Sequence, residues 1–378
     1  MTKTKIAIIA GQLVVGGAER QLYLWLSNLD RTKFDPLVLT LHPGHGDYWE
    51  KPIEALGIPL IRIPQRVNPF RRLIEIVNAL HAYQPRLIHG WHLFSSVYAG
   101  LAARILGVKS IAGVRNAYQS FNHNALESRL TLWISDTIIA NSKTTADFIK
   151  GKVNSRWQSV YAVQNAVEEN FIDRNEIRNM LSGKYKIQDD LIWIGSIGRL
   201  DPLKRFDLLL QVLSKLRDTG EQFHFILIGD GPERGKLERL IIDLGLSSYV
   251  TFTGEIPQAG RWLKAMDIFA FTSVDEGMPN VIMEAATAEL PIVTWKLPFY
   301  EELLENEKNA LLVDAEDTMA FTKAIIKLIE FPGLRNKIGQ AAKKHMLTSF
   351  SLDHYIQNMT SVYESVLKTS FGLEKKDL

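Results

Sequence analysis

The sequence predicts an α/β protein built from two doubly wound, Rossmann-like domains. Short apolar runs alternate with stretches of helical spacing, the pattern of a parallel sheet covered by helices, and the whole series occurs twice. Between the two series, Asp173 to Asp190 is polar and irregular in pattern and reads as a link. The length, 378 residues, is enough for two hydrophobic cores.

Taken in order, the first series places strands at Lys5–Ala10, Leu37–Leu41, Leu60–Ile63, Leu87–His89, Ser110–Val114, Thr137–Ala140 and Val160–Val163. The helix before the fourth strand shows its period in Phe70, Leu73, Ile76, Val77 and Leu80 on one face, with Arg71, Arg72 and Glu75 off it. The second series gives strands at Leu191–Ile197, Phe223–Ile228, Val250–Phe252, Ile268–Phe271 and Pro291–Thr294. Helical spacing returns from Ser351 to Leu367, with Tyr355, Met359, Val362, Tyr363 and Val366 on one side, and GLEKKDL reads as a frayed end.

Composition narrows the chemistry. The absence of cysteine excludes disulfides and thiolate metal sites and fits a reducing, cytoplasmic compartment. No apolar run reaches the ~18 residues of a membrane span. The start, MTKTKIAIIAGQLVVGGAER, is basic and then apolar, as a signal peptide is. Gln12 interrupts that run and an amphipathic pattern follows Gly16-Gly17, so it reads as a first strand and a glycine loop. Net charge is +2, yet residues 51–130 hold ten Lys and Arg against three Glu, a local +7 that leaves −5 elsewhere. Such a surface suits an anionic membrane or a phosphorylated acceptor, and equally suits solvated arginines scattered over helix faces.

Doubly wound sheets bind ligands beyond the carboxyl ends of their strands, so the loops after strands carry the functional argument. The loop after the first strand, Gly11 to Gly17, lets backbone approach a ligand just where a helix presents free N–H groups; it is not GxGxxG. His89 and His92 lie at the end of the fourth strand, where histidine can act as a base, a metal ligand or plain polar lining. In GRLDPLKRFDLLLQVLSKL, Asp201 is a good helix cap and Pro202 a good first residue. Lys204 then falls in the first turn, against the helix dipole, unless a phosphate sits there. With Arg199, it can clamp a diphosphate. DIFAFTSVDEGMPNVIMEAATAEL (267–290) predicts a buried strand, a loop and a packed helix begun by Pro279. Its carboxylates, Glu276 and Glu284, stand eight positions apart around a helix N-terminus. That arrangement suits two sugars with phosphate between them, and equally an acidic first turn.

These stretches, in this order and along nearly the whole chain, resemble the retaining glycosyltransferases of family 4, the glycogen synthase-like enzymes of GT-B fold. The resemblance rests on the E-x7-E spacing of Glu276 and Glu284, GGAER in the first loop, and IIANSKTTADF and VQNAVEENF closing the first half. GDGP from Gly229 and GEIP from Gly254 add to it. It implies domains facing across a cleft, with 1–168 on the acceptor side, 169–352 for the nucleotide sugar, and 353–378 a helix crossing back. It implies catalytic roles for Arg115, Arg199, Lys204 and Glu276. Nucleotide-sugar contacts would come from Gly17, Asn116, Gly229, Gly231, Gly277, Met278, Pro279, Asn280, Val281 and Glu284. His89 and His92 fall on the acceptor side. Two departures stand out. Many members carry a histidine in the fifth loop, where AGVRNAYQS has Arg115-Asn116; the change resembles a subgroup with Trp in the fourth loop, here Trp91, and makes Arg115 the candidate for that role. After Pro291–Thr294 the family's paired glycines give way to TWKLPFYEEL, so Trp295 and Lys296 fill room that glycines leave open.

There is no D-x-D pair to hold Mg²⁺ on a diphosphate, so neither metal nor cofactor is expected. A departing phosphate would itself take the acceptor's proton. The expected partners are a nucleotide-sugar donor, a saccharide or lipid-linked acceptor and the cytoplasmic face of an anionic membrane, with no nucleic acid. Rival readings are a nucleotide-sugar epimerase of the same architecture, a dinucleotide oxidoreductase, which the missing fingerprint disfavours, and a non-catalytic assembly module, against which the intact Arg199, Lys204, Glu276 and Glu284 argue.

Overall fold

The computed structural model describes residues 3–43, 47–64, 68–115, 125–153, 158–169 and 172–368, with backbone alone for 125–127. The chain forms two compact units, Met1–Asn165 with Leu352–Leu378, and Ala166–Ser351. Both are doubly wound and wholly parallel among the described strands.

In the first unit the strands are β1 (Thr4–Ala10), β2 (Phe34–Thr40), β3 (Leu60–Arg62), β4 (Leu87–Gly90), β5 (Lys109–Val114), β6 (Thr137–Ala140) and β7 (Ser159–Ala162), in spatial order β3-β2-β1-β4-β5-β6-β7. Ile6 to Ala10 are fully buried, as a central strand covered on both faces must be. The order reverses between β1 and β4, which pair from Ile6↔Leu87 to Ile9↔Gly90. The loops leaving these two strands therefore lie side by side at the sheet's carboxyl edge, ahead of helix α1 (Gly17–Ser27) and the helix Leu93–Leu106. Helix Leu352–Lys368 packs in this unit through Tyr355, Met359, Val362, Tyr363 and Val366, the stripe its periodicity marks.

The second unit has β8 (Ile192–Ile197), β9 (Phe223–Ile228), β10 (Val250–Gly254), β11 (Ile268–Phe271), β12 (Ile292–Trp295) and β13 (Leu311–Val313), in order β10-β9-β8-β11-β12-β13. Here the reversal brings the loops after β8 and β11 together. The expected strands are all present. The sequence pattern missed β13, a three-residue edge strand too short to show a period.

Two expectations are corrected. Asp173 to Asp190 is not an irregular link: it holds the helix Arg174–Tyr185, whose N-cap Asp173 accepts from the N–H groups of Asn175 and Glu176, at 2.8 and 3.0 Å. Only Leu181 of that helix is buried, so its apolar period is faint. The helix is fixed by side chains instead: the Asp267 carboxylate binds Arg174 at 2.7 Å and Arg178 at 3.0 Å and accepts the Trp193 N–H at 2.8 Å. In the helix Pro69–Tyr83 the buried residues are Arg72, Ile76 and Leu80, while Phe70 is 82% exposed. The Arg72 guanidinium lies 5.9 Å from the Phe94 ring centre and 5.8 Å from that of Tyr98. A long aliphatic stem and a cation over two aromatic faces make arginine an acceptable inward residue. Among the described residues no helix is long and apolar enough to cross a membrane.

Asp267→Ala should destabilise the protein by about 3 kcal/mol, because two guanidinium groups and a strand-end N–H lose one largely buried carboxylate. Urea unfolding measures this; a change under 1 kcal/mol would show the cluster to be solvated.

Candidate active site

In the second unit the site is built by backbone. After β8 the chain passes Gly198, Arg199 and Leu200, makes a single 3-10 turn at Pro202–Lys204, and breaks at Arg205 (φ 49°) before the helix Phe206–Asp218 begins. Asp201 caps the turn through Leu203 N–H at 3.0 Å. Lys204 therefore stands two positions ahead of the first residue of the long helix and not in its first turn. Thr272, directly after β11, donates its hydroxyl to the carbonyls of Lys204 and Arg205, both at 3.0 Å. The Val274 N–H reaches the Leu203 carbonyl at 2.9 Å, and Ser273 Oγ the same oxygen at 3.3 Å. This stitching brings Lys204 Nζ to 2.5 Å from Glu276 Oε1, both side chains more than four-fifths buried, with Nζ 5.7 Å from the Phe271 ring centre.

Arg199 lies five positions before Lys204 in the same loop and is exposed. Its loop runs against the glycine turn after β9. Gly198 N–H donates to Ile228 O at 3.0 Å and Leu200 N–H to Asp230 O at 2.9 Å. A Cβ on Gly229 (φ 144°) would stand 2.0 Å from the Gly198 carbonyl oxygen, and one on Gly231 2.5 Å from that of Leu200. These two glycines therefore work by letting two loops touch.

The Glu276 loop continues through buried Gly277, Met278 and Pro279 into the helix Asn280–Thr287; Pro279 is its N-cap and Asn280 and Val281 its first residues. Glu284 lies one turn in. A Cβ on Gly260 would meet its Oε2 at 2.5 Å, so the stretch after β10 closes directly on that carboxylate. Trp295 does not wall off the site. It is fully buried, and its Nε1–H donates to the Thr272 carbonyl at 2.8 Å; Lys296 is exposed. The Tyr300 hydroxyl donates to the Ser273 carbonyl at 3.0 Å, and burial, with the Glu276 charge beside it, pushes that phenol well above its usual range.

In the first unit the glycine loop is held from several sides. The Gly11 carbonyl accepts from Thr40 Oγ1 at 2.9 Å, Leu13 N–H donates to Asp47 Oδ2 at 3.0 Å, and Tyr355 donates to the Gln21 carbonyl at 3.1 Å. His92 takes the Gly11 N–H on Nδ1 at 3.4 Å and meets Glu19 Oε1 through Nε2 at 3.1 Å, so both its ring nitrogens are engaged. Glu19 folds back over Gly16, where a Cβ would stand 2.1 Å from Oε2. Gly17 opens α1. His89 is fully buried with Nδ1 2.6 Å from the Tyr363 hydroxyl, and burial holds its pKa well below the usual imidazole range. It binds the last helix and offers no surface to an acceptor. Arg115 follows β5; Asn116 lies outside the described residues. Burial lowers the Arg115 pKa, while Tyr355, Tyr363 and Glu19 favour its charge. Glu19, Tyr355 and Tyr363 had no signal as site residues beyond a place in GGAER and on one helical stripe. Among the described residues, no three His, Asp or Glu are grouped to hold a metal.

Two family models match the chain, Glycosyltransferase Family 4 over residues 15–171 and Glycosyl transferases group 1 over 178–345. The lipopolysaccharide core biosynthesis glycosyltransferase LpsD of Rhizobium meliloti (strain 1021) is 32% identical over 338 residues, covering 89% of this chain and 91% of its own. LpsE of the same organism, of the same description, is 28% identical over 362 residues, covering 92% and 96%. Among solved structures, Anabaena Alr3699/HepE in complex with UDP and glucose superposes with a TM-score of 0.83 at 21% identity, covering 96% of this chain and 100% of that one. Sucrose-phosphate synthase from Thermosynechococcus elongatus gives 0.80 at 17%, covering 97% and 100%.

The buried imidazole has a consequence for stability. Folded, His89 stays neutral; unfolded, it takes a proton below its ordinary value of 6.5. The unfolded state then binds more protons, so this contribution is complete above pH 6.5 and is lost as pH falls, by up to about 1.4 kcal/mol per pH unit. Melting temperature should therefore fall between pH 7.5 and 5, and fall less in His89→Asn. His224, pushed down to about 4 by burial, acts with the same sign in both proteins and cancels. Equal falls would show that His89 is protonated in the fold.

Proposed function

This chain belongs to the family 4 glycosyltransferases of GT-B fold, and we propose that it is a retaining, metal-independent enzyme using a nucleotide-sugar donor. The acceptor is a saccharide or a lipid-linked saccharide, in the assembly of cell-surface polysaccharide or lipopolysaccharide. The names of LpsD and LpsE support the pathway, and UDP with glucose in the HepE complex makes UDP-glucose the first donor to test. The observation that carries the reading is the Lys204–Glu276 contact, a cation and a carboxylate fixed together by backbone at the carboxyl edge of the sheet.

In this reading Lys204 and Arg199 neutralise the diphosphate as the bond from the anomeric carbon to its phosphate oxygen breaks, Lys204 as a point charge and Arg199 as a fork. The diphosphate rests at residues 277–281, where a helix N-terminus offers N–H groups. Glu284 accepts from the ribose hydroxyls and Glu276 from the transferred sugar. The acceptor oxygen bonds the anomeric carbon on the face that the phosphate leaves, and its proton passes to the departing phosphate. Arg115 takes the place of the family's histidine at the donor sugar. The exposed cations of 51–130, among them Lys51, Arg71, Arg86 and Arg129, provide peripheral contact with an anionic membrane. An epimerase would convert the donor with no acceptor present, which separates that reading.

Thermal shift with UDP-, GDP-, ADP- and CMP-sugars in excess EDTA identifies the donor. A ligand at a hundredfold its Kd stabilises by about 2.7 kcal/mol, and one sugar class should do so. Turnover should survive the chelator; loss restored by Mg²⁺ or Mn²⁺ would overturn the metal-free mechanism. Lys204→Ala should cut kcat strongly and cost about 1–3 kcal/mol of stability, because Glu276 loses its partner. Glu284→Ala should weaken nucleoside diphosphate binding by calorimetry, whereas Glu276→Ala should spare that binding and lower kcat. Equal loss of diphosphate affinity in both variants would refute the division of roles.

A further inference from the structure

The buried Trp91 has no role in the mechanism above, yet its ring packs directly on Arg115. The guanidinium carbon lies 3.5 Å from the centre of the indole ring, and Arg115 Nε–H donates to the Trp91 carbonyl at 3.1 Å. The indole is itself tied down: its Nε1–H donates to the Ala18 carbonyl in the first turn of α1, at 2.9 Å. A third feature explains how the tryptophan backbone comes so near. Gly113 lies near the end of β5, two positions before Arg115. A Cβ there would stand 2.5 Å from the Trp91 carbonyl oxygen and 2.7 Å from that of Gly90. The missing side chain is the space in which the loop after β4 passes under Arg115.

We propose that Trp91 is the positioning residue for Arg115, fixing the guanidinium plane with its ring face and the rotation of that plane with its carbonyl. This rests on the proposed role of Arg115 at the donor sugar and deepens it. The Nε–H is committed to Trp91, which leaves the Nη edge as the part that meets a ligand, with Tyr355 and Glu19 as its electrostatic neighbours. Lysine offers no plane to stack and could not be oriented in this way.

The test uses the full chain and has one arm that needs no substrate. In a ¹H–¹⁵N spectrum the Arg115 Nε–H, assigned by its loss in Arg115→Lys, should be displaced by the indole ring current and protected from exchange. In Trp91→Leu it should return to the ordinary arginine position; an unmoved signal overturns the proposal. In the kinetic arm, UDP release from UDP-glucose should fall about tenfold to a hundredfold in kcat for Trp91→Leu, with KM little changed, and less for Trp91→Phe, which keeps a ring face. In the Arg115→Lys background Trp91→Leu should cost nothing further, since the oriented plane is already gone. Trp193→Phe, at a fully buried tryptophan of the second unit, should lower melting temperature and leave kcat unchanged. If Trp91→Leu and Arg115→Lys losses simply add, Trp91 is structural and the proposal fails. If Arg115→Ala keeps full turnover, the role of Arg115 at the donor falls, while the spectroscopic arm still decides whether Trp91 orients it.

Discussion

The second unit depends on one contact between two loops, the hydroxyl and amide stitching of residues 272–274 onto the carbonyls of 203–205. A lysine has about 2 kcal/mol of side-chain entropy to lose on being fixed, and a carboxylate beside it has hydration to lose. Neither cost is met by an ion pair alone when both partners are mostly out of water. Here the backbone meets it beforehand: Thr272 Oγ1 fixes the end of the 3-10 turn and Val274 N–H its middle, so Lys204 and Glu276 start from fixed Cα positions. The break at Arg205 follows from this. The turn must end where Thr272 needs its carbonyls, and the helix can begin only at Phe206.

Close backbone approach is the device both units use at their carboxyl edges. In the second unit Gly229 and Gly231 let the loop after β9 lie on the loop carrying Arg199. In the first, Gly113 lets the loop after β4 pass beneath Arg115. In each case a glycine outside the functional loop sets where its cation stands. Substitution at such a glycine is therefore felt at the cation, although the glycine itself need touch no ligand.

The strands and the double winding were legible because buried parallel strands are apolar runs, and such runs survive in any context. Motif positions were legible too, since Asp201, Pro202 and Pro279 carry their own backbone rules. What stayed hidden was set by partners distant in sequence. Lys204 reads as a first-turn cation until Thr272 is seen to end the turn. Phe70 reads as core until Arg72 is seen to lie between Phe94 and Tyr98. Arg174–Tyr185 reads as a linker because its hold on the unit is two arginines on Asp267 and not an apolar face. Glu19 and His92 pair across the ends of β1 and β4, which no spacing along the chain expresses.

The replacement of paired glycines by TWKLPFYEEL is the clearest case of sequence and structure exchanging meanings. Bulk at Trp295 suggests an obstructed wall, because a side chain needs space and glycine needs none. The structure turns the indole and the Tyr300 phenol inward, where each donates to a carbonyl of the loop leading to Glu276, at Thr272 and Ser273. Those carbonyls are buried at the end of β11, and without donors each would cost about 1–3 kcal/mol. Glycines leave such a loop free to move toward a ligand; two buried aromatic donors hold it in place before any ligand arrives. Preorganisation of this kind keeps Glu276 against Lys204, the arrangement on which the role proposed for that carboxylate rests.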